Sequence, residues 1–92
     1  MAHTIKEKAK LLNRVRRVRG QLEALERALQ ADAGCAQVAH LVVAARGAMS
    51  SLMAEIIEDH IRFHIVDPTH ERNRARAQGA EELIDVVRAY LR

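Results

Sequence analysis

Apolar residues recur in the first third of the chain as Leu11, Val15, Val18, Leu22, Leu25 and Leu29, at spacings of four, three, four, three and four. That period belongs to a helix packed along its length against another, and it predicts a first helix from about Thr4 to Gln30. Thr4 is the expected N-cap, with Glu7 completing a capping box. On an adjoining face Lys6, Lys10, Arg14 and Arg17 fall at near-helical spacing, so the cations form a stripe and not a ring. The segment Ala31, Asp32, Ala33, Gly34 breaks the pattern, with Asp32 the expected N-cap of the next helix.

From Cys35 to about Ile65 there is no Pro and only Gly47. Val38, Leu41, Val42, Ala45, Met49, Leu52, Met53, Ile56, Ile57 and Phe63 give this second, longer helix a broad apolar surface. Ala44, Ala45, Gly47, Ala48, Ser50 and Ser51 mark a middle where another helix can approach closely. Asp67 and Pro68 end the helix. Residues 69–78, with Arg72, Arg74 and Arg76, are expected to be a mobile loop. Residues from Glu81 to Leu91 predict a short amphipathic helix with Leu83, Ile84, Val87, Tyr90 and Leu91 on its apolar side and its acids early, where the helix dipole favours them.

Composition narrows the fold class. Hydrophobic residues make up 49% of the 92 positions but aromatics only 2%, with one Pro and four Gly, so the core is aliphatic and turn residues are too few for a sheet. The expectation is an all-α fold in a single domain spanning residues 1–92. A chain this short buries a small fraction of its surface, so it stands to gain from partner copies. There is no signal-peptide pattern, and no run is read as approaching the roughly 20 apolar residues that span a bilayer. The lone Cys35 is a free thiol, in keeping with a reducing compartment. A soluble, cytoplasmic protein with no membrane partner is expected.

Net charge is +3, and it is unevenly placed: Lys6, Lys8, Lys10, Arg14, Arg16, Arg17 and Arg19 stand against the single acid Glu7 in the first twenty residues. Such a one-sided basic region is the electrostatic footprint of a phosphate-binding protein, although a solvated helix face has the same composition. No helix-turn-helix, zinc-finger spacing or aromatic platform accompanies it, so recognition of duplex DNA would rest on phosphates and DNA shape. There is no nucleophile-base set, Gly-rich phosphate loop or carboxylate pair in an evident cleft, and no enzyme activity is expected.

His60 and His64 are four residues apart, so both imidazoles leave one helix face and can reach one metal ion. Cys35 adds a soft donor, which favours nickel, cobalt, zinc or copper over magnesium or calcium; alternatively it is only a small buried apolar residue. At about 1.5 Å per residue, Cys35 and His60 stand nearly 40 Å apart on one helix. They can share an ion only if a second copy of the helix runs antiparallel to the first, which implies a symmetric dimer with two equivalent sites. His3 in the N-terminus can fold over such a site, with the Ala2 amine adding a donor if Met1 is removed. His40, turned well away from Cys35 by helical rotation, and His70, in the loop, are left outside the site.

The stretches RVRRVRGQLEALERAL in the first helix, Cys35, ARGAMSSLMAEIIEDHI in the second and EELIDVVRAYL at the end resemble the CsoR/RcnR family of bacterial metal- and formaldehyde-sensing repressors, over essentially the whole chain. The resemblance implies a three-helix protomer, antiparallel dimers paired into a flat homotetramer, and release of operator DNA on effector binding. Its copper branch uses a second cysteine where this chain has His64. Its nickel/cobalt branch, RcnR and DmeR, uses His3, Cys35, His60 and His64, all present here. Its formaldehyde branch pairs the cysteine with an N-terminal proline, where this chain has Ala2, although the first helix is very like that branch. Lys10, Arg14, Arg16 and Arg17 match DNA-contacting positions of the family. Arg46 is a further candidate, or else a structural partner for Glu55 or Glu58 of a neighbour.

The expectation is therefore a DNA-binding repressor of metal efflux or resistance genes, released by Ni2+ or Co2+, with Zn2+ a further fit to the donors. Two alternatives stand beside it. One makes Cys35 a nucleophile toward formaldehyde. The other is a helical metal-storage or interaction module for which the basic stripe serves only solubility.

Overall fold

The computed structural model describes residues 5–91, arranged as three helices with a π-helical turn between the second and third. Helix α1 spans Ile5–Gln30, α2 spans Cys35–His60, the π turn spans Ile61–Ile65, and α3 spans Arg74–Leu91. Helix α1 ends at Gln30 and α2 begins at Cys35 as expected, but α winding in α2 stops at His60, and the expected stretch to Ile65 is completed by the π turn. Thr4, the expected cap of α1, lies outside the described residues.

Helix α1 folds back on α2 through a four-residue link whose geometry is set by Asp32, not as the N-cap of α2 but as the C-terminal stop of α1. Asp32 has a φ of 55°. Its N–H reaches Leu29 O at 3.2 Å and the Ala33 N–H reaches Ala28 O at 2.9 Å, the paired bonds of a Schellman motif. Asp is one of the few non-glycine residues that tolerate this left-handed position. Gly34 is the N-cap of α2 and contributes no side-chain bond.

The predicted seam of α1 divides in two. Val18 and Ala28 are buried and Leu11 and Leu25 half-buried toward α2, while Val15, Leu22 and Leu29 are 44%, 50% and 58% exposed. Residues three apart are offset by about 60° around a helix and residues four apart by about 40° in the other sense, so the apolar band is wide enough to serve two neighbours. Only one of them is in this chain. On α2, Ala45 and Ala54 are buried and Ala44, Ala48 and Ser51 half-buried, so small side chains permit the approach as expected. Gly47 takes no part, since a Cβ there would meet nothing within 4 Å.

The second helix ends in a wider turn than expected. Val66 N–H bonds to Ile61 O at 2.8 Å, five residues back, and the turn carries His64. Of the loop anticipated over residues 69–78, residues 69–73 are an irregular link held by its own polar groups, whereas residues 74–78 belong to α3. Asp67 accepts from the Thr69 backbone N–H at 3.0 Å and the Thr69 hydroxyl at 2.6 Å, and His70 Nδ1 lies 2.8 Å from its other oxygen. The Thr69 hydroxyl first, and then His70, hold the Asp67 carboxyl down to about 2. Asn73 then caps α3 through a bond from Arg76 N–H at 3.2 Å, which starts that helix seven residues before the expected Glu81. An Asn ahead of a helix-compatible run is a start signal; the arginines behind it had marked the segment as loop.

Helix α3 lies against the C-terminal half of α2. Ile84, fully buried, sits among Ala54, Ile61, Ala80 and Val87, flanked by Ile57, Val66 and Leu91. This is the only buried cluster of the described residues, and it is small. A compact chain of this length has a radius of gyration of about 12 Å, whereas here the Cα value is 17.1 Å and the extents are 57 × 27 × 12 Å. The protomer is a slab about one helix thick.

Its open faces carry Leu12, Val42, Val43, Met49, Met53, Phe63 and Ile65, all more than 40% exposed. One correction follows from the same helix. The 31 residues Cys35–Ile65 are, by length and composition, apolar enough to cross a membrane, with a mean hydropathy of 1.3 over the best window. A helix destined for helical neighbours on more than one side has the same character, and the C-terminal third of this one carries Glu55, Glu58 and Asp59.

Since Ile84 anchors the one cluster that joins α3 to α2, Ile84→Ala should cost about 2–5 kcal/mol. Urea denaturation followed by circular dichroism, at matched protein concentration, checks this; a loss below about 1 kcal/mol would show that α3 is held mainly by its ion pairs.

Candidate metal centre and DNA-binding face

The structure brings His60 and His64 together. His60 is the last residue of α2 and His64 lies in the π turn, with ring centroids 5.1 Å apart and planes inclined by 30°. Both are exposed. Cys35 is also exposed, which removes the reading of it as a core residue. It stands at the opposite end of α2, roughly 38 Å away at the rise of an α-helix. Accordingly, no group of three or more His, Cys, Asp or Glu among the described residues could hold a metal ion within one chain. His3 lies outside the described residues. Two imidazoles and a thiol suit a transition metal, and the imidazole pair is in reach of one ion, so the donors fit a metal only when a second copy supplies the sulfur. His40 is exposed, and His70 is exposed but tied to Asp67.

At the same end of the molecule α2 buries three carboxylates. Glu55, Glu58 and Asp59 are 4%, 6% and 4% exposed, and ions removed from water are tolerated only when paired. Lys10 Nζ lies 2.6 Å from Glu55 Oε1 and 3.4 Å from Asp59 Oδ1. Arg14 lies 3.3 Å from Glu55 Oε2 and donates to Ser51 Oγ at 2.6 Å. Glu58 accepts from Arg88 of α3 and lies 3.6 Å from Arg62, which also reaches Glu81 at 3.8 Å. Asp59 Oδ2 is buried without a hydrogen-bond partner.

The titrations follow from this packing. Burial works against the charge of Lys10, but its hydrogen bond to Glu55 and the charges of Glu55 and Asp59 outweigh it and raise its pKa. Burial raises the pKa of Asp59; Lys10 opposes the rise and Glu55 adds to it.

Two of the cations expected on a DNA-binding face thus lean inward. Lys10 and Arg14 keep 44% and 26% of their side chains exposed. With Asn13 and Arg17 they line a shallow groove of about 240 Å³. Arg16 and Arg17 are exposed, Arg16 donating to Asn13 Oδ1 at 2.9 Å. Arg46 is exposed, while Glu55 and Glu58 are engaged within the protomer by other cations. Glu55, Asp59 and Ser51 had no assigned partner on α1 in the sequence reading. The signal was present: acids four apart in an otherwise apolar helix require cations, and Lys10 and Arg14 are themselves four apart.

The family model for metal-sensitive transcriptional repressors matches residues 7–89. The chain belongs to that family. It is 44% identical over 94 residues to an uncharacterised protein in the bioA 5′ region of Serratia marcescens, with both chains covered in full. It is 40% identical over 87 residues to the transcriptional repressor RcnR of Salmonella paratyphi B, covering 95% of this chain and 90% of that one. Among solved structures it matches a glutamate-to-histidine variant of the formaldehyde-responsive regulator FrmR from Salmonella enterica serovar Typhimurium, with a TM-score of 0.67 and 40% identity over 97% of this chain and 99% of that one. A metal-sensitive repressor works by binding operator DNA, not by catalysis, and its three-helix all-α protomer is the one described above.

For this repressor the raised pKa of Asp59 has a definite sign. The folded state binds that proton more tightly than the unfolded chain, so ionised Asp59 costs stability at neutral pH, and the cost is relieved as pH falls through the raised pKa. Asp59→Asn should therefore melt above the native protein at neutral pH, with the difference closing in acid. Thermal melts across that range check it; a lower melting temperature at neutral pH would mean that Lys10 stabilises the charge more than burial opposes it.

Proposed function

We propose that this metal-sensitive repressor responds to nickel or cobalt, with zinc a weaker fit, and that the ion is held by His3, Cys35, His60 and His64 drawn from two copies of the chain. The observation that carries this is the pairing of His60 with His64 at one end of α2 and the exposed thiol of Cys35 at the other. Head-to-tail packing of two such helices closes the gap, and two dimers make a flat homotetramer. The open apolar flanks of α1 and α2 support such an assembly. Four to six nitrogen and sulfur donors suit cobalt or nickel better than a strictly tetrahedral zinc site. Lys10, Arg14, Arg16, Arg17 and Arg46 contact operator DNA in the cytoplasm, upstream of metal efflux or resistance genes, and metal occupancy shifts the assembly to a form that binds DNA less well.

The coupling is reciprocal, so DNA weakens metal binding by the same factor that metal weakens DNA binding. Cobalt should lower promoter-DNA affinity by about 5- to 150-fold, the usual span of such couplings. The native protein should show a cobalt-thiolate absorption band, and Cys35→Ala should lose both the band and the response while still binding DNA. Equal cobalt affinity with and without DNA would remove the mechanism.

A second reading is favoured by the match to FrmR, which is as similar in sequence as RcnR. There the exposed Cys35 thiol adds to formaldehyde, and condensation with an amine of a neighbouring chain gives a one-carbon bridge with loss of water. The chain has Ala2 where the N-terminal proline of that branch stands, which favours metal. Mass spectrometry after exposure to the aldehyde separates the two: a bridge on Cys35 supports the second reading, and an unmodified thiol supports the first.

A further inference from the structure

Lys10 and Arg14 stand between two competing anions. On one side are Glu55 and Asp59, whose side chains are 5% exposed. On the other is the open groove shared with Asn13 and Arg17, where a DNA phosphate would lie. An ammonium or guanidinium drawn to a buried carboxylate offers less charge and fewer donors to a phosphate. The hold on the inner side is uneven. Lys10 is close to Glu55, at 2.6 Å, but 3.4 Å from Asp59 Oδ1, and the other oxygen of Asp59 is buried without a partner. Asp59 thus has unused capacity to accept, and a small shift toward Lys10 would engage it.

Asp59 immediately precedes His60, and the π turn with His64 follows at once. π turns are local departures from α geometry that favour functional positions. Asp59 and, one turn behind it, Glu55 are thus joined through continuous backbone to both imidazoles.

We infer that Glu55 and Asp59 form a carboxylate latch that competes with DNA phosphate for Lys10 and Arg14, and that the turn bearing His60 and His64 sets how firmly the latch holds. The latch rests on the DNA-binding and metal-sensing reading above. It supplies that reading with a physical link, because the carboxylates that restrain the phosphate-binding cations belong to the same helix end as the imidazoles. Closing the latch withdraws two cations from each protomer's DNA face without moving the exposed Arg16 and Arg17. These remain to bind DNA weakly.

The test measures binding of a fluorescent mixed-sequence duplex of about thirty base pairs as a function of salt, since phosphate contacts set the slope. Glu55→Gln and Asp59→Asn keep shape and remove charge. Each is expected to bind more tightly than the native protein at low salt, by about three- to tenfold, with the slope of log K against log salt steeper by about one for each cation released. Adding Lys10→Gln to Glu55→Gln should return the slope toward the native value. Cobalt should give the same thiolate band in Glu55→Gln as in the native protein but a smaller loss of DNA affinity, which a merely structural role would not produce.

Should Glu55→Gln lose helicity, Asp59→Asn carries the test alone. Native slope and affinity in the folded variants, or weaker binding, would overturn the latch. A native protein with no salt-dependent binding would instead remove the DNA-binding reading on which it stands.

Discussion

Three carboxylates placed in the apolar end of α2 decide how this chain folds. Glu55, Glu58 and Asp59 are removed from water by the packing of α1 and α3, and an ion in that position is stable only if another element brings it a cation. Glu55 and Asp59 take theirs from α1, as Lys10 and Arg14; Glu58 takes Arg88 from α3 and Arg62 from the π turn. The result is a polar clamp that fixes both outer helices to the same end of the central one. Apolar packing shares the task on both sides, through Val18, Ala28 and Ala45 where α1 lies on α2 and through Ile84 and its neighbours on the α3 side. Breaking one member would leave a buried charge exposed to an apolar surrounding, so the clamp specifies arrangement more than it adds stability.

The clamp also sets what lies next to the imidazoles. Because Asp59 precedes His60, the charged contacts between helices and the paired rings occupy consecutive positions of one backbone. On the proposed function, an effector held at the rings and a phosphate held at Lys10 and Arg14 would act on opposite ends of the same short chain of contacts. Allosteric coupling needs an element with two arrangements that both ligands bias. Here the end of α2, with its change from α to π winding, is the one segment of the described residues in contact with α1, α3 and the histidines at once.

The slab shape gives the remaining constraint. A protomer one helix thick leaves large aliphatic side chains on α1 and α2 open, and a soluble protein covers patches of this kind with partners. Cys35 and the His60–His64 pair, at opposite ends of α2, become one site only if the partner is another copy running the other way. The same surfaces that stay open in the lone protomer are the ones through which its donor atoms would be assembled.

Helical content, the end of α1 at Gln30, the start of α2 at Cys35 and the pairing of His60 with His64 were legible from local spacing, because periods of three and four residues are a property of the helix itself. So was the separation of Cys35 from that pair. The split of the α1 seam was not, since a wide apolar band looks the same whether one neighbour or two will cover it. Asp32 was read as a cap for the wrong helix, because short polar side chains serve both helix starts and left-handed stops, and only the backbone angle decides. The charge of residues 69–78 points to a loop, which holds for residues 69–73 alone; Asn73 caps α3 and starts it at Arg74. Lys10 and Arg14 were legible as cations on a helix face but not as partners of Glu55 and Asp59. Sequence determined which residues share a face; tertiary structure alone decided what each face meets, because burial and charge pairing depend on residues some forty positions away that no local pattern brings together.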